Sequence, residues 1–191
     1  MVGAIPEEAI EFDGVRGAFL EAHRIKPKDT NVALALGVLS FIQRNFAEAA
    51  RFFEDGIREN PMEHTLWNKY GAAMANNMDT MGALKVYHQA LDLRPNYVRT
   101  MANIGLAHRS MGNYADSMPY FLNALILNPQ ATHVWSYIRS SVLQMNRLEL
   151  LDKVNAKDPN LFRADYPGLI DPARMPQPST DRLYENEIWS K

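Results

Sequence analysis

There is no cysteine in the 191 residues, which removes a disulfide framework and any thiolate metal site and fits a reducing compartment. No run of ~18 apolar residues occurs, so no segment reads as a membrane-spanning helix. The opening MVGAIPEEAIEF lacks a basic stretch followed by an apolar one, so it does not read as a signal peptide, and the cytosol is the expected location. Strong charge of one sign is also missing. Against 22 acidic residues stand 20 basic ones, leaving a formal net charge of −2 and no whole-molecule attraction toward nucleic acid or anionic lipid. The glycines are dispersed and form no phosphate-cradling loop. The histidines His23, His64, His88, His108 and His133 show no HExxH or other paired ligand spacing, and His108 reads as a packing residue. Ser40, Ser110, Ser136 and Ser190 lack a nucleophile-elbow context. No enzyme, metal site or cofactor is expected from these residues.

What the chain does have is a period. Pro61, Pro95 and Pro129 lie 34 residues apart, each after a helical run: GIRENP, ALDLRP and ALILNP. Counting back gives units starting at Thr30, His64 and Val98. Glycine recurs at the eighth position (Gly37, Gly71, Gly105) and a small residue at the twentieth (Ala49, Ala83, Ser117). An aromatic recurs at the twenty-fourth (Phe53, Tyr87, Phe121) and a small residue at the twenty-seventh (Gly56, Ala90, Ala124). Two antiparallel helices approach closely only where one presents a small residue, and an aromatic from the other fills the adjacent gap. This is the tetratricopeptide (TPR) period. The expected fold is all-α: a solenoid of antiparallel helix hairpins with a helical C-terminal cap and an extended tail.

The register divides the chain. Residues 1–29 read as a partial unit, the second helix of a hairpin with Phe19 and Ala22 at the aromatic and small positions; the chain either begins mid-repeat or uses this helix as a cap. Residues 30–63, 64–97 and 98–131 are three full units. Residues 132–158 place Trp135 and Ile138 in register, but Arg139 replaces the glycine, so they read as degenerate capping helices. Residues 159–191 hold five of the eleven prolines and read either as an extended tail, with Leu161, Phe162, Tyr166 and Trp189 as candidate contacts on the solenoid, or as a disordered one.

In such an array the first helices line a concave groove. Its inward positions in the first unit, among them Leu34, Val38, Phe41 and Ile42, are nearly all apolar. In the second they include Asn68, Lys69 and Asn76, and in the third Arg99, Asn103, Arg109 and Ser110. Arg99 and Asn103 are four residues apart and share a helical face. Asparagine amides offer donor and acceptor to an extended peptide backbone, and Lys69 and Arg99 suit a carboxylate. An apolar wall beside them takes a side chain, so a short extended peptide with a free C-terminus satisfies all three demands. The plainer reading stays open: polar side chains such as Asn76 and Arg109 are simply solvated, and the apolar set packs on the preceding helix or on the tail.

The stretches LGVLSFIQRNFAEAARFF, LWNKYGAAMANN, ALDLRPNYVRTMANIGLAHRSMGNY and VWSYIRSSVLQ resemble, in order, the last TPR triplet of the peroxisomal targeting-signal-1 receptor family, over roughly residues 12–145. The resemblance implies a receptor for cargo proteins ending in a Ser-Lys-Leu-type tripeptide, cytoplasmic and cycling to the peroxisomal membrane. It implies that Asn68 and Asn103 bond the signal backbone, that Lys69 and Arg99 lie near its carboxylate, and that Asn76 matches a groove asparagine. Ser110 departs from a family asparagine, Ala102 from an aromatic, and the long loop before the W-S helix is nearly absent. The family closes a ring from two triplets, and the residues here match the second. Other readings are a general TPR scaffold docking a protein partner, and a co-chaperone clamp, for which only Asn103 of the five needed residues is well placed.

Overall fold

A computed structural model describes residues 7–171 of the chain, with side chains from residue 13 onward. Nine α-helices run through these residues, and no strand occurs among them: α1 Glu7–Ile25, α2 Thr30–Ile42, α3 Phe46–Glu59, α4 His64–Asn76, α5 Thr80–Leu93, α6 Val98–Ser110, α7 Tyr114–Leu127, α8 Val134–Gln144 and α9 Leu151–Ala156. The chain is the expected TPR solenoid. Each helix packs on its sequence neighbours, and α4 also touches α6 while α6 touches α8. The even-numbered helices therefore stand side by side along one face.

The punctuation repeats with the period. Arg44, Met78, Gly112 and Asn146 all take positive φ, between 55° and 79°, in the turn closing a first helix. The next N–H, of Asn45, Asp79, Asn113 and Arg147, donates to the carbonyl five residues back, on Ser40, Met74, His108 and Val142. This left-handed stop satisfies helix-end carbonyls that would otherwise lack partners. Its presence at Asn146 shows that the turn survives in the C-terminal unit although the glycine of the helix crossing does not.

The eighth-position glycines meet the twenty-fourth-position aromatics of their own units. A Cβ on Gly37 would lie 2.5 Å from the Phe53 ring, on Gly71 2.6 Å from Tyr87, and on Gly105 2.6 Å from Phe121. Phe121 is fully buried, so its ring has nowhere to swing. Gly105→Ala is expected to destabilise the chain by ~1–2 kcal/mol, because overpacking outweighs the ~1 kcal/mol gained in helix propensity. A denaturant melt checks this, and an unchanged midpoint would refute the tight crossing.

At the N-terminal side, Phe19 and Ala22 of α1 are half-buried against the next hairpin. Arg16 grips Glu48 through both carboxylate oxygens, at 2.7 and 2.9 Å, and Ser40 donates to the same carboxylate at 2.8 Å. Burial pushes Glu48 up, but the Ser40 hydroxyl and Arg16 guanidinium together hold it below the ordinary carboxylate value. At the other side, a 3₁₀ turn over Pro159–Phe162, capped by Asp158, seats Phe162 fully buried beside Trp135. Leu169 is buried in the same core, and the Ile170 N–H donates to Asn123 Oδ1 at 2.8 Å. Tyr166 also packs here, whereas Leu161 is exposed and makes no such contact. Trp189 lies outside the described residues.

Candidate ligand groove

The first helices present the groove, and its polar centre lies where α4 meets α6. Asn68 is on the buried side of α4 at 4 % exposure, and Thr100 on α6 is fully buried. Thr100 Oγ1 donates to Asn68 Oδ1 at 2.9 Å, and Asn103 Nδ2 donates to the same oxygen at 3.0 Å. The two donors fix the orientation of both amides. Asn68 keeps its Nδ2 as a donor, and Asn103 keeps its Oδ1 as an acceptor with one further N–H, both on residues that line the cleft. One peptide unit carries the complementary pair, a C=O and an N–H.

Around this pair is a cleft of about 200 Å³ walled by Val38, Phe41, Ile42, Asn68, Lys69, Ala72, Arg99 and Asn103, with Phe53 behind. The apolar residues and the cations thus line one space. Lys69 is half-buried, and its ammonium is held below the ordinary lysine value by loss of water and then by the Arg99 charge. Neither Lys69 nor Arg99 has a carboxylate at ion-pair distance or a hydrogen-bond partner among the described residues. Bringing an anion between two cations that repel one another without a counter-ion would relieve that repulsion. Arg99 also stands in the first turn of α6, where the helix dipole disfavours a cation and favours the anion it would bind.

The groove extends on both sides. A stretch of about 490 Å³ includes Phe41, Ala72, Asn76, Asn103, Leu106 and Ser110, and one of about 590 Å³ includes Arg94, Tyr97, Arg99, Asn103, His133 and Tyr137. Asn103 borders all three. Asn76 is exposed and folds back to donate one N–H to the Ala72 carbonyl at 2.8 Å, which leaves its oxygen and its second N–H for a ligand. Ser110 likewise donates to its own helix, at Ala107. Arg109 donates to Ser140 on α8 at 3.0 Å and lies over the Tyr137 ring, a helix-to-helix bridge. His108 stacks on Tyr120 away from the groove.

Two features escape a reading by inward position. Thr100 occupies a helix-packing slot, yet it orients Asn68. The pair His64 and Arg94, thirty residues apart, meets within one unit, between the start of α4 and the end of α5: Arg94 Nη1 donates to His64 Nε2 at 3.1 Å. Burial first, and then Arg94, keep His64 below the ordinary imidazole value, with Glu63 opposing. The signal for this pair was a hydrogen-bonding residue at the first position of one unit facing another at the end of the same unit.

A tetratricopeptide repeat family model matches residues 98–128. The peroxisomal targeting signal receptor of Kluyveromyces lactis is 28% identical over 144 residues, covering 70% of this chain and 25% of that protein. The Saccharomyces cerevisiae receptor is 26% identical over 162 residues, covering 76% of this chain and 26% of the relative. The peroxisomal targeting signal 1 receptor of Dictyostelium discoideum is 33% identical over 150 residues, covering 78% and 23%. The chain is a TPR protein similar to these receptors. It spans about a quarter of the length of the curated relatives it matches. Among solved structures, a crystal structure of MamA protein superposes with a TM-score of 0.72 at 16% identity, covering 86% of this chain and 91% of that one. At that identity the likeness speaks for the solenoid fold alone. Among the described residues no helix is long and apolar enough to cross a membrane, and no group of three or more His, Asp or Glu side chains is placed to hold a metal ion.

Proposed function

We propose that the groove across the three units 30–131 binds the free C-terminus of a cargo protein ending in a Ser-Lys-Leu-type tripeptide, as part of a receptor for peroxisomal import that works in the cytoplasm and at the peroxisomal membrane. One observation carries the reading: Lys69 and Arg99, without counter-ions, adjoin the donor and acceptor of Asn68 and Asn103 and the apolar wall of Val38, Phe41 and Ile42. The terminal carboxylate lies between the two cations, the last peptide unit on the two asparagines, and the terminal apolar side chain against the wall. The similarity to targeting signal receptors supports it. Catalysis has no part in this reading.

A second reading is a scaffold that docks a folded partner, favoured by the exposed Val15, Leu20 and Ile25 on α1, outside the groove. Peptide titrations separate the two. A fluorescent peptide ending Ser-Lys-Leu should bind with its carboxylate free and lose ~10–100-fold when amidated, the worth of a charge-assisted hydrogen bond. Equal binding of the free and amidated forms sinks the groove reading and leaves the scaffold.

A further inference from the structure

The groove continues past the carboxylate site, and so does its charge. None of the residues lining its three stretches is acidic, in a chain with 22 acids. The widest stretch, about 590 Å³, lies between α6 and α8. On its edge Arg94 stands 5.7 Å over the Tyr97 ring while it donates to His64. A guanidinium has no acceptor, so His64 must accept through Nε2 and carry its proton on Nδ1, which faces Glu63 at 3.7 Å. The partner of Arg94 is therefore a neutral imidazole. Arg94 keeps its charge with no carboxylate at ion-pair distance among the described residues. On the opposite wall His133 makes an edge contact with Tyr137 at 6.1 Å between ring centroids.

We propose that this stretch receives an Asp or Glu side chain of the bound peptide, with Arg94 as its counter-ion and Tyr97 and Tyr137 as its walls, so that the chain selects ligands with a second negative charge upstream of the terminal carboxylate. The proposal rests on the peptide-binding reading above and adds a specificity to it. Direction follows from the lining residues. Phe41 and Ile42 stand on the α2 side beside Lys69, and of the two stretches that continue from there only the one toward α8 carries Arg94, so a peptide placing an acid there runs toward α8. Distance follows from packing. Neighbouring helices lie ~8–10 Å apart and an extended chain advances ~3.3 Å per residue, so the acid falls about three residues before the last, fourth from the end. A lysine there would meet Arg94 and Arg99, with no acid lining the stretch and Glu63 set behind His64.

The test uses the whole chain and three peptides ending Ser-Lys-Leu that differ only at the fourth residue from the end: Glu, Gln or Lys. Anisotropy titrations should rank them Glu, Gln, Lys, with the Glu and Lys peptides differing ~10-fold at low salt and less as salt is added. Arg94→Gln should pull that ratio toward one. Because the ratio is taken within a single protein, a partial loss of fold does not imitate it. If the three peptides bind alike, or Lys is preferred, while free carboxylates still outbind amidated ones, the second-charge proposal is wrong and the peptide-binding reading stands. If carboxylate dependence is missing as well, both fall.

Discussion

An Arg99→Glu variant should lose on the order of 100-fold in affinity for a peptide with a free C-terminus, and melt no lower than the parent chain. The two effects have opposite origins in one place. In the parent, Arg99 disfavours protonation of Lys69, which burial already penalises, and it occupies the first turn of α6 without a side-chain cap. A glutamate there turns repulsion into attraction and suits the positive end of the helix, a gain of ~0.3–1 kcal/mol. It also places an anion where the ligand carboxylate would go. Proton linkage gives an independent readout. The folded chain holds Lys69 below its ordinary value, so between those two values the unfolded chain binds more protons and stability rises with pH. In the variant the neighbouring carboxylate raises Lys69, and the rise in stability over that window should shrink or vanish. Melting temperatures taken from neutral pH into the ordinary lysine range, with peptide titrations beside them, report both. Retained affinity would mean that the carboxylate binds elsewhere.

The solenoid was legible because every constraint that makes it recurs at the same residue in each unit. Helix starts at Thr30, His64 and Val98 coincide with the unit boundaries read from Pro61, Pro95 and Pro129. The pairing of Gly37 with Phe53, Gly71 with Tyr87 and Gly105 with Phe121 follows from two position classes whose steric demands are complementary. The C-terminal segment was less legible for the same reason. Phe162 and Leu169 enter the core outside any period, held by a proline-initiated 3₁₀ turn and by Asn123, and an aperiodic contact leaves no recurring trace. Leu161, next to Phe162, is turned to water by that turn.

At the groove, inward positions pointed to Asn68, Lys69, Asn76, Arg99 and Asn103, and the structure brings four of them around one cleft, with Asn76 in the adjoining stretch. What position alone does not convey is which atoms stay free. Asn76 spends one of its two donors on its own helix, while Asn68 and Asn103 spend one bond on each other. That depends on Thr100, whose hydroxyl takes up half of the Asn68 oxygen, and no single-helix pattern marks a threonine as the partner of an asparagine on the neighbouring repeat. The Arg94–His64 contact is likewise an interaction between side chains of adjacent helices, visible only once their spacing is fixed.

Asn68 separates structure from recognition, because its two neighbours respond differently to two substitutions. Asn68→Leu removes the shared acceptor. The buried Thr100 hydroxyl and the Asn103 amide both lose it, and an unsatisfied buried donor costs ~1–3 kcal/mol. The variant should therefore unfold at lower denaturant and bind peptide poorly, since Asn103 is no longer aimed. Asn68→Asp keeps oxygens for both donors and so should retain most of the stability. Its charge instead lies beside Lys69 and Arg99, where it competes with the ligand carboxylate, and the groove has already lost the Asn68 donor. Affinity should then fall by ~10-fold or more while the melt stays close to the parent. The informative comparison is between the two variants at equal fraction folded. If Asn68→Asp binds a free-carboxylate peptide as the parent does, the amide pair is a packing device between α4 and α6, and the ligand does not reach it.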